Sequence, residues 1–205
     1  MGWDLGTLEP NQTKSITVAV MFGSAAFGDP NVWNTTRHKH YTSIQAAIND
    51  PCTLTGDEIM AYPALYKENV DFNSVNSKVL TLKSSDPNDP SIVAQTIIKG
   101  SGSDAVTFTN NNSVINGFTI TNSSNGIYCY GSSSSPTIKS CIIKNNSRGI
   151  YCLSAGQTKI MNNWIVNNGS YGVYVERTAA DAIIRNNTIS SNPYGGIRRY
   201  ARYAG

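Results

Sequence analysis

"GIYC" stands at residues 126–129, returns at 149–152, and returns again as "GVYV" at 172–175. Gly126, Gly149 and Gly172 are spaced 23 residues apart. Gly195 lies a further 23 on, although the phrase itself resumes one residue later, at Gly196-Ile197. A fixed interval of this size marks a chain built from stacked copies of one supersecondary unit. Such a repeat decides the fold before local propensities are weighed.

Four neighbouring columns share the interval. They are Ile120, Ile143, Val166 and Ile189; Ile115, Ile138, Met161 and Ile184; Phe118, Cys141, Trp164 and Asn187; and Asn122, Asn145 and Asn168. Each repeat carries short apolar runs such as "SVINGFTI" (113–120), "PTIKSCII" (136–143), "KIMNNWIV" (159–166) and "AIIRNNTI" (182–189). Alternate side chains of a strand point to opposite faces, so Phe118 and Ile120 are expected inside and Thr119 outside. A single rung cannot bury its apolar face. Rungs stacked as parallel strands ~4.8 Å apart build a continuous core.

The expected fold is therefore all-β, a solenoid of about 23 residues per rung. Ile127, Ile150 and Val173 form one inward ladder, and Cys129, Cys152 and Val175 the next. Tyr128, Tyr151 and Tyr174 face outward. Asn122, Asn145 and Asn168 are expected to form a turn ladder whose amides bond between rungs.

Composition narrows the function. The chain has 205 residues, of which 40% are hydrophobic and 14% charged, with a net charge of +3. That suits one domain of ordinary size and gives no electrostatic case for nucleic acid or a membrane surface. Cys52, Cys129, Cys141 and Cys152 form no CxxC pair, so neither a metal centre nor a cofactor is expected. The first thirty residues lack a basic segment before an apolar one, and the run at 16–22 is too short to span a bilayer. An export signal is expected outside this stretch.

The repeat, with the segments upstream of it, resembles the right-handed parallel β-helix of the pectin-lyase-like superfamily. "YTSIQAAIND" (41–50) is similar to that superfamily's N-terminal cap helix, with Thr42 and Gln45 as a capping box and Ile44, Ala47 and Ile48 as the face laid on the solenoid's end. "GDEIMAYPALYKENV" (56–70) and "KVLTLKSSDPNDPSIVAQTIIKG" (78–100) resemble the first two rungs, with Ala64 where glycine is usual. The resemblance implies a β-helix over 41–205 with a short cap helix. It leaves the activity open, because the superfamily holds lyases, hydrolases, esterases, adhesins and non-catalytic modules. Residues 1–23 resemble the last strands of a bacterial immunoglobulin-like sandwich, or donor strands for another chain. Residues 24–40, rich in Gly, Asn, Thr and Pro, read as a linker.

The catalytic constellations of that superfamily find no match. Beyond Ile97 the acidic residues are Asp104, Glu176 and Asp181. Glu176 and Asp181 straddle a turn, and Asp104 lies three rungs from them. His38 and His40 precede the cap helix. A calcium-dependent lyase needs clustered carboxylates beside its base. Lys139, Arg148, Lys159, Arg177 and Arg185 supply bases, and Lys139 and Arg185 share an outward column with Asn116 and Asn162, but the carboxylate cluster is missing.

The tyrosine column remains the best candidate site, as a strip on which sugar rings stack. Tyr128, Tyr151 and Tyr174 form it, with Arg148, Asn125 and Tyr130 beside it as hydrogen-bonding partners. The alternative is that stacked tyrosines only stabilise a sheet face. The cysteines read as core, with a Cys129–Cys152 disulfide the alternative in an oxidising compartment. Sequons such as Asn122-Ser-Ser and Asn145-Asn-Ser carry little weight in a chain so rich in Asn and Ser, and a glycan would break an inward ladder. The basic, aromatic end at 198–205 suggests charge protection of the last rung by Arg198, Arg199 and Arg202.

The leading functional expectation is a non-catalytic module of a larger bacterial extracellular or cell-surface protein, a scaffold with a polysaccharide partner. Two others stay open: a polysaccharide lyase or hydrolase with unrecognised or missing catalytic rungs, and a filament subunit self-associating through residues 1–23 and the C-terminal rung.

Overall fold

A computed structural model describes residues 31–73, 78–176 and 182–200. The N-terminal sandwich-like segment, Arg177, Asp181 and Arg202 lie outside them. Six rungs of three short strands each wind around one core. The first holds β3 (Glu58–Ala61), β4 (Ala64–Tyr66) and β5 (Val70–Asp71). It is preceded by β1 (Val32–Asn34), β2 (Lys39–Tyr41) and the helix α1 (Ile44–Asn49). The second holds β6 (Thr81–Ser84), the helix α2 (Pro90–Gln95), β7 (Thr96–Lys99) and β8 (Val106–Thr109). The third is β9 (Val114–Asn116), β10 (Thr119–Thr121) and β11 (Asn125–Tyr130). The fourth is β12 (Thr137–Lys139), β13 (Ile142–Lys144) and β14 (Arg148–Leu153). The fifth is β15 (Lys159–Met161), β16 (Trp164–Val166) and β17 (Tyr171–Glu176), and the sixth β18 (Ile183–Arg185), β19 (Thr188–Ser190) and β20 (Gly195–Tyr200).

Three parallel sheets result, each taking one strand per rung: β3-β6-β9-β12-β15-β18, β4-β7-β10-β13-β16-β19 and β5-β8-β11-β14-β17-β20. The phrase that opens each repeat sits in the third sheet. Ile127 pairs with Ile150 and Ile150 with Val173, all fully buried, and Cys129 pairs with Cys152 and Cys152 with Val175. The glycine before them is required by close approach. A Cβ on Gly149 would lie 2.4 Å from the Gly172 carbonyl oxygen and 2.6 Å from Ile165 Cγ2.

Three of the columns read from the sequence are displaced in the fifth rung. Tyr130 pairs with Leu153, 23 residues on, but Thr137 pairs with Lys159, 22 residues on. The turn after β14 is thus one residue shorter than the turn after β11. The inward residues are Ile160 and Ile165, both 0% exposed, rather than Met161 and Val166. Trp164 turns outward, 61% exposed, and Asn163 takes its inner place. Met161, not Asn162, joins Asn116, Lys139 and Arg185 on the outer face. The residue is regained between Asn168 and Val173, so the phrase at 172–175 keeps its interval.

The asparagine ladder shifts for a related reason. Asn122 and Asn145 point outward from left-handed turn positions, with φ of 65° and 57°. The buried ladder is Asn146, Asn168 and Asn192: the Asn146 N–H donates to Asn168 Oδ1 and the Asn168 N–H to Asn192 Oδ1, each at 3.1 Å. Their Nδ2 groups donate to the carbonyls of Ile120, Ile143 and Ile165. A second ladder, Asn163 and Asn187, closes the corner between the first two sheets. Each ladder satisfies turn backbone groups that the inter-strand bonds leave unpaired.

Residues 31–40 are not a linker throughout. β1 and β2 form a hairpin, and β1 pairs antiparallel with β3, extending the first sheet. Asn34 fixes it, donating to Thr53 and Asp57, and the Arg37 guanidinium pairs with Asp57. Burial pushes the Asp57 carboxyl up, but Arg37, the Leu54 amide and Asn34 outweigh it and hold it below the usual range. The N-cap of α1 is Ser43, not Thr42, accepting from the Ala46 N–H. Ile44, Ala47 and Ile48 lie on the core. Thr119 faces outward yet is buried, because α2 lies over it and its hydroxyl donates to the Val93 carbonyl.

Candidate functional site

The outer face of the third sheet gathers all six residues singled out from the sequence. Parallel register stacks Tyr128 on Tyr151 and Tyr151 on Tyr174. Ring centroids are 5.3 Å apart in both steps. Tyr130, two residues beyond Tyr128 on the same strand face, stacks on it at 6.1 Å. The Arg148 guanidinium lies 5.1 Å from the centre of the Tyr151 ring and 5.7 Å from that of Tyr174. Arg148 Nη1 donates to Asn125 Oδ1, and Asn125 Nδ2 donates to Asp104 at 2.7 Å. Asp104 thus orients the asparagine that orients the arginine.

Four further residues extend the strip. Tyr171 stacks on Tyr174 at 5.3 Å, Tyr194 meets Tyr171 edge-on at 5.9 Å, and Arg198 lies over Tyr171 at 5.5 Å. Glu176 accepts a hydrogen bond from the Tyr151 hydroxyl. The interval that links Asn125 to Arg148 leads next to Tyr171, so its column was readable from the sequence. The same interval leads on to Tyr194, whereas Arg198 pairs with Tyr174 through the 24-residue step into the last rung.

Burial, reinforced by the Glu176 carboxylate, pushes the Tyr151 hydroxyl far above the usual phenol range, and the same two causes raise Tyr174. The rings stay neutral, and their electron-rich faces attract the guanidinium groups. The inner rings are half-buried, while Tyr130 is 43% and Tyr194 71% exposed. The strip therefore offers flat apolar area, cationic groups and polar hydroxyl edges together.

A second surface feature follows from the outward turn of Trp164, which the 23-residue interval groups with the buried Phe118 and Cys141. The segment carrying α2 leans over the second sheet and encloses a cleft of about 280 Å³. Pro87, Pro90 and Val93 form one wall, and Ile142 and Trp164 the other. Among the described residues no three His, Cys, Asp or Glu side chains come together as a metal site, and no helix is long and apolar enough to cross a membrane.

Comparison with known proteins bears on this geometry. A family described as "right handed beta helix region" matches residues 65–203. A protein of Methanothermus fervidus named "Cell surface glycoprotein" is 36% identical over 115 residues, which is 55% of this chain and 17% of that protein. The chain thus spans about a sixth of that relative's length. No solved structure matches. A β-helix domain with such a relative fits a module of a surface protein.

Proposed function

The chain belongs to the family of right-handed β-helix regions, and on that premise we propose that it is a non-catalytic module of a larger extracellular or cell-surface protein, which binds a glycan along its tyrosine strip. The observation that carries the binding reading is the outward stack of Tyr128, Tyr151 and Tyr174, with Arg148 laid over two of the rings. Pyranose rings present apolar C–H faces and polar edges. A row of aromatic faces matches the former, and guanidinium, amide and hydroxyl groups match the latter. The surface location is supported by the cell-surface relative from Methanothermus fervidus.

The rungs form the scaffold that holds this strip flat. In-register pairing fixes each tyrosine backbone, so little order remains to be lost on binding. The test is glycan-array binding followed by titration calorimetry with the best ligand. Tyr151→Ala should weaken binding at least tenfold while leaving the melting transition of the fold cooperative. Binding by the intact protein that is indifferent to Tyr151→Ala and Tyr174→Ala would remove the strip from the function.

A further inference from the structure

The described residues contain six Asn-x-Ser/Thr sequons, beginning at Asn34, Asn111, Asn122, Asn145, Asn168 and Asn186. This tripeptide is the acceptor of N-linked glycosylation, and it serves only where the asparagine reaches solvent. The fold divides the six sharply. Asn34, Asn111 and Asn168 are at most 1% exposed. Their Nδ2 groups, the atoms a sugar would replace, are committed inside: Asn34 to Thr53 and Asp57, Asn111 to the carbonyls of Phe72 and Lys78, and Asn168 to the Ile143 carbonyl and Asn192. Asn122, Asn145 and Asn186 stand exposed at left-handed turn positions, with Ser124, Ser147 and Thr188 exposed two residues on.

The one-residue displacement of the asparagine ladder makes the difference. With Asn146 rather than Asn145 in the interior, a sugar on Asn145 disturbs no inter-rung bond. Two of the exposed three are further favoured. Asn122 Nδ2 donates to the Gly100 carbonyl at 3.2 Å, whereas the side-chain amides of Asn145 and Asn186 make no hydrogen bond among the described residues. Asn122 also lies directly beside Asn145 on the next rung, its N–H bonded to the Asn145 carbonyl. Rungs ~4.8 Å apart leave no width for two glycans side by side.

We propose that Asn145 and Asn186 are N-glycan attachment sites and that the other four sequons among the described residues are silent. The donor is a lipid-linked oligosaccharide and the catalyst a host transferase. The amide nitrogen bonds to C1 of the first sugar, the C1–O bond to the lipid (pyro)phosphate breaks with the electron pair leaving on oxygen, and the nitrogen gives its proton to the transferase base.

The experiment is secretion of the full 205-residue chain behind a signal sequence from yeast or insect cells. Glycans on the folded fraction are then released by amidase in ¹⁸O-water, which marks each vacated asparagine. Marks are expected at Asn145 and Asn186, and none at Asn34, Asn111, Asn122 or Asn168. Ser147→Ala and Thr188→Ala should each remove one glycan-sized step in gel mobility without changing the melting temperature. A mark at any of the three buried sequons, a mark at Asn122 in place of Asn145, or bare asparagine at either proposed site would overturn the assignment.

Discussion

Glu68 and Lys78 grip opposite ends of α1. The Glu68 carboxylate accepts from the Ile44 and Gln45 N–H groups, both at 2.9 Å, and the Lys78 ammonium donates to the carbonyls of Ile48 and Asp50 at 2.8 and 2.6 Å. Negative charge at a helix start and positive charge at its end both oppose the macrodipole and satisfy orphan backbone groups. The cap of the solenoid is thus fastened by side chains from the first two rungs. Lys78→Met should cost about 1–3 kcal/mol by leaving two carbonyls without a donor. Chemical denaturation measures the loss, and hydrogen exchange should show it first at residues 44–49.

The register of the fifth rung is open to a direct comparison. Ile165→Ala should destabilise by about 2–5 kcal/mol, as large-to-small core changes do. Trp164→Ala, at an exposed position, should cost less than about 1 kcal/mol. Equal penalties for the two in urea denaturation would contradict the 22-residue step.

The cysteines predict a thiol count. Cys129, Cys141 and Cys152 are buried and all four are free. Burial, then the neighbouring Cys152, pushes the Cys129 thiol well up, and burial pushes Cys141 up to about 11. Thiolate is the reactive form. Ellman's reagent at pH 8 should therefore titrate Cys52 alone in native protein and four thiols in guanidinium. Two thiols in guanidinium would reveal a Cys129–Cys152 disulfide.

Acid sensitivity should centre on Asp50. Its carboxyl is held well below the usual range by Lys39, with the Cys52 N–H and the Tyr41 hydroxyl adding to the effect. A depressed carboxyl pKa contributes stability that is fully present above the unfolded value of 3.8 and is lost as pH falls below it. Asp50→Asn should lower the melting temperature at pH 7, and the gap from wild type should close below about pH 4.

Much of this architecture was legible because Gly126, Gly149 and Gly172 cannot be replaced, and their interval sets the whole stack. The phrase they open placed Tyr128, Tyr151 and Tyr174 on one outer face without further information. What stayed hidden lay in doublets. Asn145-Asn146, Asn167-Asn168, Ile160-Met161 and Ile165-Val166 each set two interchangeable residues side by side. A slip of one position then exchanges like for like in the pattern while turning every side chain over. The clamp on α1 was invisible for another reason: Glu68 and Lys78 meet the helix from segments 23 or more residues away, and no local periodicity records that contact.

Register pairing between successive rungs has a further consequence. Every added copy of a tyrosine-bearing repeat lengthens the stack by one strand spacing, ~4.8 Å, and adds one residue to the outward column of Tyr128, Tyr151 and Tyr174. If the strip binds a glycan as proposed, reach and the number of contacts along that glycan grow together, so duplicating a single repeat in the gene alters both by one fixed increment.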